Sequence, residues 1–298
     1  QDIFVMRIAR DGKAVYAASF GGAGNQCASA IAIAADGSVL LAGHNNGTVA
    51  VGADTLVSDE HDAIVIKLDA GGQPLWAKSF GGPGSQEAQG VAIDASDNPV
   101  VVGSFQKTIT IGTKTLTSAG VTAAFVTGLD AMGQPRFANG YGDGGVTQAR
   151  AVTVSADNDI IVVGALGTHA TFDQLVVGSV AQTDFLFAKL DSDGAVKWVT
   201  SLGGEGAAAA NAVSTNAAGD IVVGGRFSGV VRGDMPQLSS EGGFDGAVLR
   251  LTADGKLRWA VSYGRQGDDD CHAAVFRGND TVLGVGHFRE GVLLPPTS

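Results

Sequence analysis

Apolar and polar residues alternate at a period of two in short runs along this chain, as in AIVIKLD, LWAKSF, GVAIDAS and NPVVVGSF between Ala63 and Phe105. Runs of this length, rich in β-branched and aromatic residues, predict strands half-buried on a sheet. The turns between them carry Gly, Asn or Asp. One set reads Asp11-Gly12, Gly71-Gly72, Met132-Gly133, Asp193-Gly194 and Asp254-Gly255, and the other reads Asp36-Gly37, Asp97-Asn98, Asp157-Asn158, Ala218-Gly219 and Asn279-Asp280. Both sets suit the positive φ of tight hairpins.

The same pattern returns about every 61 residues. Asp2, Asp62, Ala123, Asp184 and Asp245 open equivalent segments, and each is followed 18 residues later by Phe20, Phe80, Tyr141, Leu202 or Tyr263. A glycine then follows after 23 more: Gly43, Gly103, Gly164, Gly225 or Gly286. All length variation falls after that glycine, so each repeat is a fixed set of two hairpins plus one tolerant β-like excursion, such as TITIGTKTLTS. A single sheet of this kind cannot bury both apolar faces, so successive sheets must stack. We therefore expect an all-β fold, a five-bladed β-propeller of four-stranded antiparallel blades in one domain over 1–298, with repeats near 2–61, 62–122, 123–183, 184–244 and 245–298. Residues 2–20 are expected to pair with 273–288 and close the ring. Tyr16, Trp76, Phe137, Trp198 and Trp259 share one position of the repeat. A blade-to-blade core layer is preferred for them over sugar-stacking platforms.

The unit DAIVIKLDAGGQPLWAKSFGG followed by QGVAIDASDNPVVVGSF resembles the SBBP type of bacterial β-propeller repeat. The shared features are the Asp-led strand, the Trp-x-x-x-Phe-Gly-Gly ending and the Asp-x-x-Gly/Asp-Asn hairpin. The third repeat departs, with Ala123 for Asp, Phe137 for Trp and Tyr141-Gly-Asp-Gly-Gly for Phe-Gly-Gly. The resemblance implies a propeller in a secreted or cell-surface protein and defines no catalytic residues.

Composition narrows the function classes. Glycine is 45 of 298 residues without a triplet period, so it marks turns rather than collagen. Thirty acidic against 19 basic side chains give a net charge of −11, which opposes a nucleic-acid partner. No apolar run is long enough for a transmembrane helix, and QDIFVMRIARDG is not a signal peptide. A leader removed ahead of Gln1 fits the expected secretion.

Cys27 and Cys271 are the only cysteines. On neighbouring strands at the ring seam they would form a disulfide closing 244 residues, contributing about 5 kcal/mol in the chain-entropy model. Two buried thiols are the alternative. A zinc site with His44, His272 and His287 is a third reading, disfavoured because no CxxC or HxxxH spacing exists. Asp268, Asp269 and Asp270 offer hard oxygen ligands for calcium but lack the Asp-x-Asp-x-Asp-Gly spacing, so a solvated acidic loop is preferred.

The Gly-rich interblade loops precede strands rather than helices, which weakens a phosphate-cradle reading. The expected binding surface is the loop face, carried by His44, Gln86, Glu87, Arg150, Arg226, Asp268, Asp269, Asp270 and His287, with Gln26, Gln148 and Asn211 beside them. Neither a Ser-His-Asp set nor G-x-S-x-G is present, which leaves His44, His272 and His287 as candidate bases. The function expected is a noncatalytic recognition or adhesion module binding a glycan or protein partner. A structural spacer comes second, with GVLLPPTS as a docking strand or edge stop, and a loop-face hydrolase or lyase third.

Overall fold

In a computed structural model, which describes residues 1–180, 182–233 and 237–290, the chain is all-β and no helix occurs among the described residues. The tail GVLLPPTS lies outside them. Two compact units divide the chain, residues 1–140 and 141–298.

The first unit holds two four-stranded antiparallel sheets. One runs in order through Gly24–Ile33, Val39–Val51, Asp54–Leu68 and Pro74–Phe80. The other runs through Gln86–Ile93, Pro99–Phe105, Ala123–Leu129 and Pro135–Tyr141. The second unit repeats the plan with Thr147–Val154, Ile160–Leu166, Asp184–Leu190 and Val196–Gly204, a sheet extended at its edge by Val230–Arg232 and Leu238–Ser239, then with Ala208–Thr215, Ile221–Phe227, Asp245–Leu251 and Leu257–Tyr263. Each sheet thus takes two strands from one sequence repeat and two from the next. The excursions are small hairpins, Thr108–Ile111 with Lys114–Thr117 and His169–Phe172 with Leu175–Gly178.

Three motif positions have packing explanations. The hairpin Asp is a turn cap: Asp94 Oδ1 accepts the N–H groups of Ser96 (2.8 Å) and Asn98 (2.9 Å), and Asp69, Asp130, Asp191 and Asn216 do the same in their own turns. The leading Asp lies over the glycine that ends its hairpin, so a Cβ on Gly21, Gly81, Gly203 or Gly264 would collide with Asp2, Asp62, Asp184 or Asp245. Asp and Gly are therefore a matched pair. The repeated aromatic covers the hairpin turn of the following repeat. Trp76 donates from Nε1 to Ala131 O at 3.0 Å, Trp198 does so to Ala253 O at 3.3 Å, and Tyr16 lies against Gly72. These rings are core and turn cover, so they are not free as stacking platforms.

The hairpins at either end stand apart from the four full sheets. Among the described residues Ile3–Ile8 pairs only with Ala14–Phe20, and Asp270–Arg277 only with Thr281–His287. In the first, Phe4, Met6 and Ile8 are 70, 51 and 57% exposed, although Ile64, Phe125, Leu186 and Ala247 at the first of these positions are at most 1% exposed. In the last, Leu283 and Val285 are 53 and 63% exposed, whereas Leu40, Val100 and Ile161 at the place of Leu283 are buried. Each terminal hairpin carries a bare apolar face that every full sheet covers.

Cys27 and Cys271 are both free thiols, Cys27 half-buried and Cys271 buried. The expected disulfide is not formed. Cys271 lies in an apolar cluster with Val222, Val248 and Ala274, and burial pushes its thiol pKa up. No helix of the described residues is long and apolar enough to cross a membrane.

Candidate functional site

In each first strand the pairing register slips by one residue at the same point: between Ala28 and Ala30, Ala88 and Gly90, Ala149 and Ala151, Ala210 and Ala212, and Cys271 and Ala273. The residue left without a cross-strand partner is Ser29, Gln89, Arg150, Asn211 or His272. A bulge re-aims a side chain and recurs beside functional sites. Here all five re-aimed residues are polar, and no two are alike. Small residues flank each one, and within each unit successive first strands approach closely.

In the second unit this row is wired together. Arg150 donates from Nε (3.2 Å) and Nη2 (2.9 Å) to Gln148 Oε1, and from Nη1 to Asn211 Oδ1 at 3.0 Å. Asn211 Nδ2 in turn donates to Asp270 Oδ1 at 2.7 Å and to Cys271 O at 3.3 Å. Arg226 reaches Asp270 Oδ2 at 3.6 Å and lies 4.7 Å over the ring of Phe244. Burial and the Arg226 guanidinium lower the proton affinity of Arg150, and Asp270 opposes them. Tyr263 donates its hydroxyl to Asp270 O at 2.8 Å, which orders the backbone beneath.

The first unit places related groups in the matching positions. His44, aligned with Arg226, stacks on His61, aligned with Phe244, at 5.0 Å between ring centroids. His61 Nδ1 is 3.9 Å from Glu87, which is aligned with Gln148 and Asp270. Burial lowers the His44 pKa despite the opposing pull of Glu87, so its ring is held towards the neutral form. Gln89 Oε1 is buried with no hydrogen-bond partner among the described residues.

The remaining expected residues separate. Gln86 is wholly buried and donates to Pro83 O (3.2 Å) and Thr108 O (3.1 Å), so it clamps a loop instead of facing solvent. The acidic run divides because Asp268 and Asp269 lie in the loop ahead of the strand that begins at Asp270. Asp268 is exposed and accepts Phe244 N–H at 3.0 Å, while Asp269 is buried and accepts Arg265 N–H (3.0 Å) and Arg289 N–H (2.7 Å). Only Asp270 joins the polar row. Among the described residues no three His, Cys, Asp or Glu side chains form a metal-holding group. His272 and His287 pair with each other, Nε2 to Nδ1 at 2.9 Å, and His44 stacks on His61.

Sequence reasoning missed Ser29, Gln89, His61 and Phe244. Its available signal was the small-polar-small triplet repeated at Ala28-Ser29-Ala30, Ala88-Gln89-Gly90, Ala149-Arg150-Ala151, Ala210-Asn211-Ala212 and Cys271-His272-Ala273. A cleft of about 470 Å³ lined by Thr200, Ser201, Arg232, Lys256 and Leu257 contains none of these bulge residues.

No family model matches the chain. It is 27% identical over 152 residues to an uncharacterized WD repeat-containing protein of Acanthamoeba polyphaga mimivirus, a match covering 45% of this chain and 11% of that protein. Among solved structures it is similar to the WD40 domain of Neurospora crassa Pan2 (12% identity, 87% of this chain and 72% of that one, TM-score 0.45). It is also similar to a protein of unknown function from Bacteroides caccae (10% identity, 82% and 64%, TM-score 0.40).

Proposed function

We propose that this chain is a noncatalytic recognition module, secreted or displayed at the cell surface, that grips a glycan or protein partner along the bulge row. The observation that carries this reading is the recurrence of a bulge at one point of every first strand, with a different polar residue in each. Identical architecture with divergent side chains argues against five equal sites. The SBBP-like motifs support the surface location. The five copies of the repeat support five blades of four strands as the frame for these residues.

The test is a glycan array and a surface-protein pull-down with the wild-type chain, each repeated with Gln89→Ala and Arg150→Ala. Binding that falls in both variants supports the reading. If both screens are blank and the protein instead assembles into filaments, the recognition reading is abandoned. That outcome would favour a structural building block, for which the bare faces at Phe4, Met6, Ile8, Leu283 and Val285 are the motivating observation.

A further inference from the structure

Two guanidinium groups, those of Arg150 and Arg226, interact with each other and with Asp270 in a chain whose net charge is −11. Arg150 makes no ion pair among the described residues, since three of its five N–H groups go to the neutral amide oxygens of Gln148 and Asn211. Arg226 is 3.6 Å from Asp270, beyond direct hydrogen bonding, and its buried Nε has no partner among the described residues. Asp270 already accepts from Asn211 at 2.7 Å. Two guanidinium groups therefore face one carboxylate that a neutral amide holds in place, which leaves one positive charge uncompensated in a half-buried setting where charge–charge interactions are stronger than in water.

A guanidinium with free N–H groups matches a carboxylate in geometry as well as charge. The aromatic environment selects the kind of carboxylate. Arg226 covers the face of Phe244, the aromatic ring it lies over, so that face is not open to stack on a sugar. We infer that Arg150 and Arg226 form a subsite for the side-chain carboxylate of an acidic peptide segment, with Asp270 as the internal group that the ligand displaces from Arg226. This deepens the recognition reading and rests on it.

The experiment titrates fluorescein-labelled hexaglutamate into the wild-type chain by fluorescence polarisation, at low and at high salt, with hexagalacturonate and free glutarate as competitors. Saturable binding that weakens with salt is expected, reduced roughly tenfold by Arg150→Gln and by Arg226→Gln. Asp270→Asn should act in the opposite direction and tighten binding, because it removes the internal competitor. Arg226→Lys, which keeps the charge and the fold, should bind more weakly than wild type through loss of the planar fork. Thermal melts of each variant separate lost folding from lost binding. Absence of hexaglutamate binding, equal loss for Asp270→Asn, or stronger competition by hexagalacturonate would overturn the inference. A partner captured by the screens above and lost in Gln89→Ala would leave the recognition reading standing while this subsite fell.

Discussion

Arg150 donates to Asn211 at 3.0 Å, and the two are the extra residues of bulges one repeat apart. The contact ties one first strand to the next through side chains that no regular strand position would bring together. Asn211 passes the link on to Asp270, so its amide has both a charged donor and a charged acceptor to hold.

Removing that amide strands both partners. Asn211→Ala is expected to destabilise the chain by about 1–2 kcal/mol, as hydrogen bonds to charged groups are lost in a partly buried site. Ser29→Ala, at the exposed matching position, should stay within about 0.5 kcal/mol of wild type. Urea denaturation of the two variants side by side measures the difference, and equal effects would show that the row is not a network.

The turn glycines should differ by what lies over them. Gly12 and Gly72 both have φ of +82°, so alanine carries the same backbone strain at each. A Cβ on Gly72 would come within 2.5 Å of the Tyr16 ring, whereas one on Gly12 meets nothing within 4 Å. Gly72→Ala is therefore expected to cost about 1–3 kcal/mol more than Gly12→Ala, from displacement of the ring. Chemical denaturation midpoints give the comparison.

Asp245 is buried beneath Gly264, and burial raises its pKa to about 6, with Asp269 and Glu241 pushing the same way. The folded chain then holds this proton more tightly than the unfolded chain, whose group titrates near 3.8. Stability from this residue is present at low pH and is lost as pH rises from about 4 to about 6, by on the order of 2–3 kcal/mol. Asp245→Asn should flatten that part of the stability–pH curve relative to wild type and be the more stable form at pH 7. A wild-type and variant pair with parallel curves would refute the assignment.

Strand positions, hairpin turns and the roughly 61-residue period were legible in the chain itself, because local alternation and turn chemistry follow from the backbone. The motif residues were legible but not their meaning. The repeated aromatic at Trp76 reads as a core residue, but only the structure shows it lying over the turn at Gly133, and only the structure shows Asp94 accepting the N–H groups of its own turn. The candidate site was half legible: Arg150, Arg226 and Asp270 stand out as polar loop-side residues, whereas Gln86 and Asp269 look alike in sequence and bond to nearby backbone. Tertiary structure separated them, since a one-residue bulge reverses which face a side chain takes and no periodicity reports where the register slips. It also decided that Cys27 and Cys271 stay as thiols, and it set Arg226 over Phe244. Such contacts depend on the approach of strands far apart in the chain. The sequence determined the repeating frame, and packing decided which polar residues in that frame face one another.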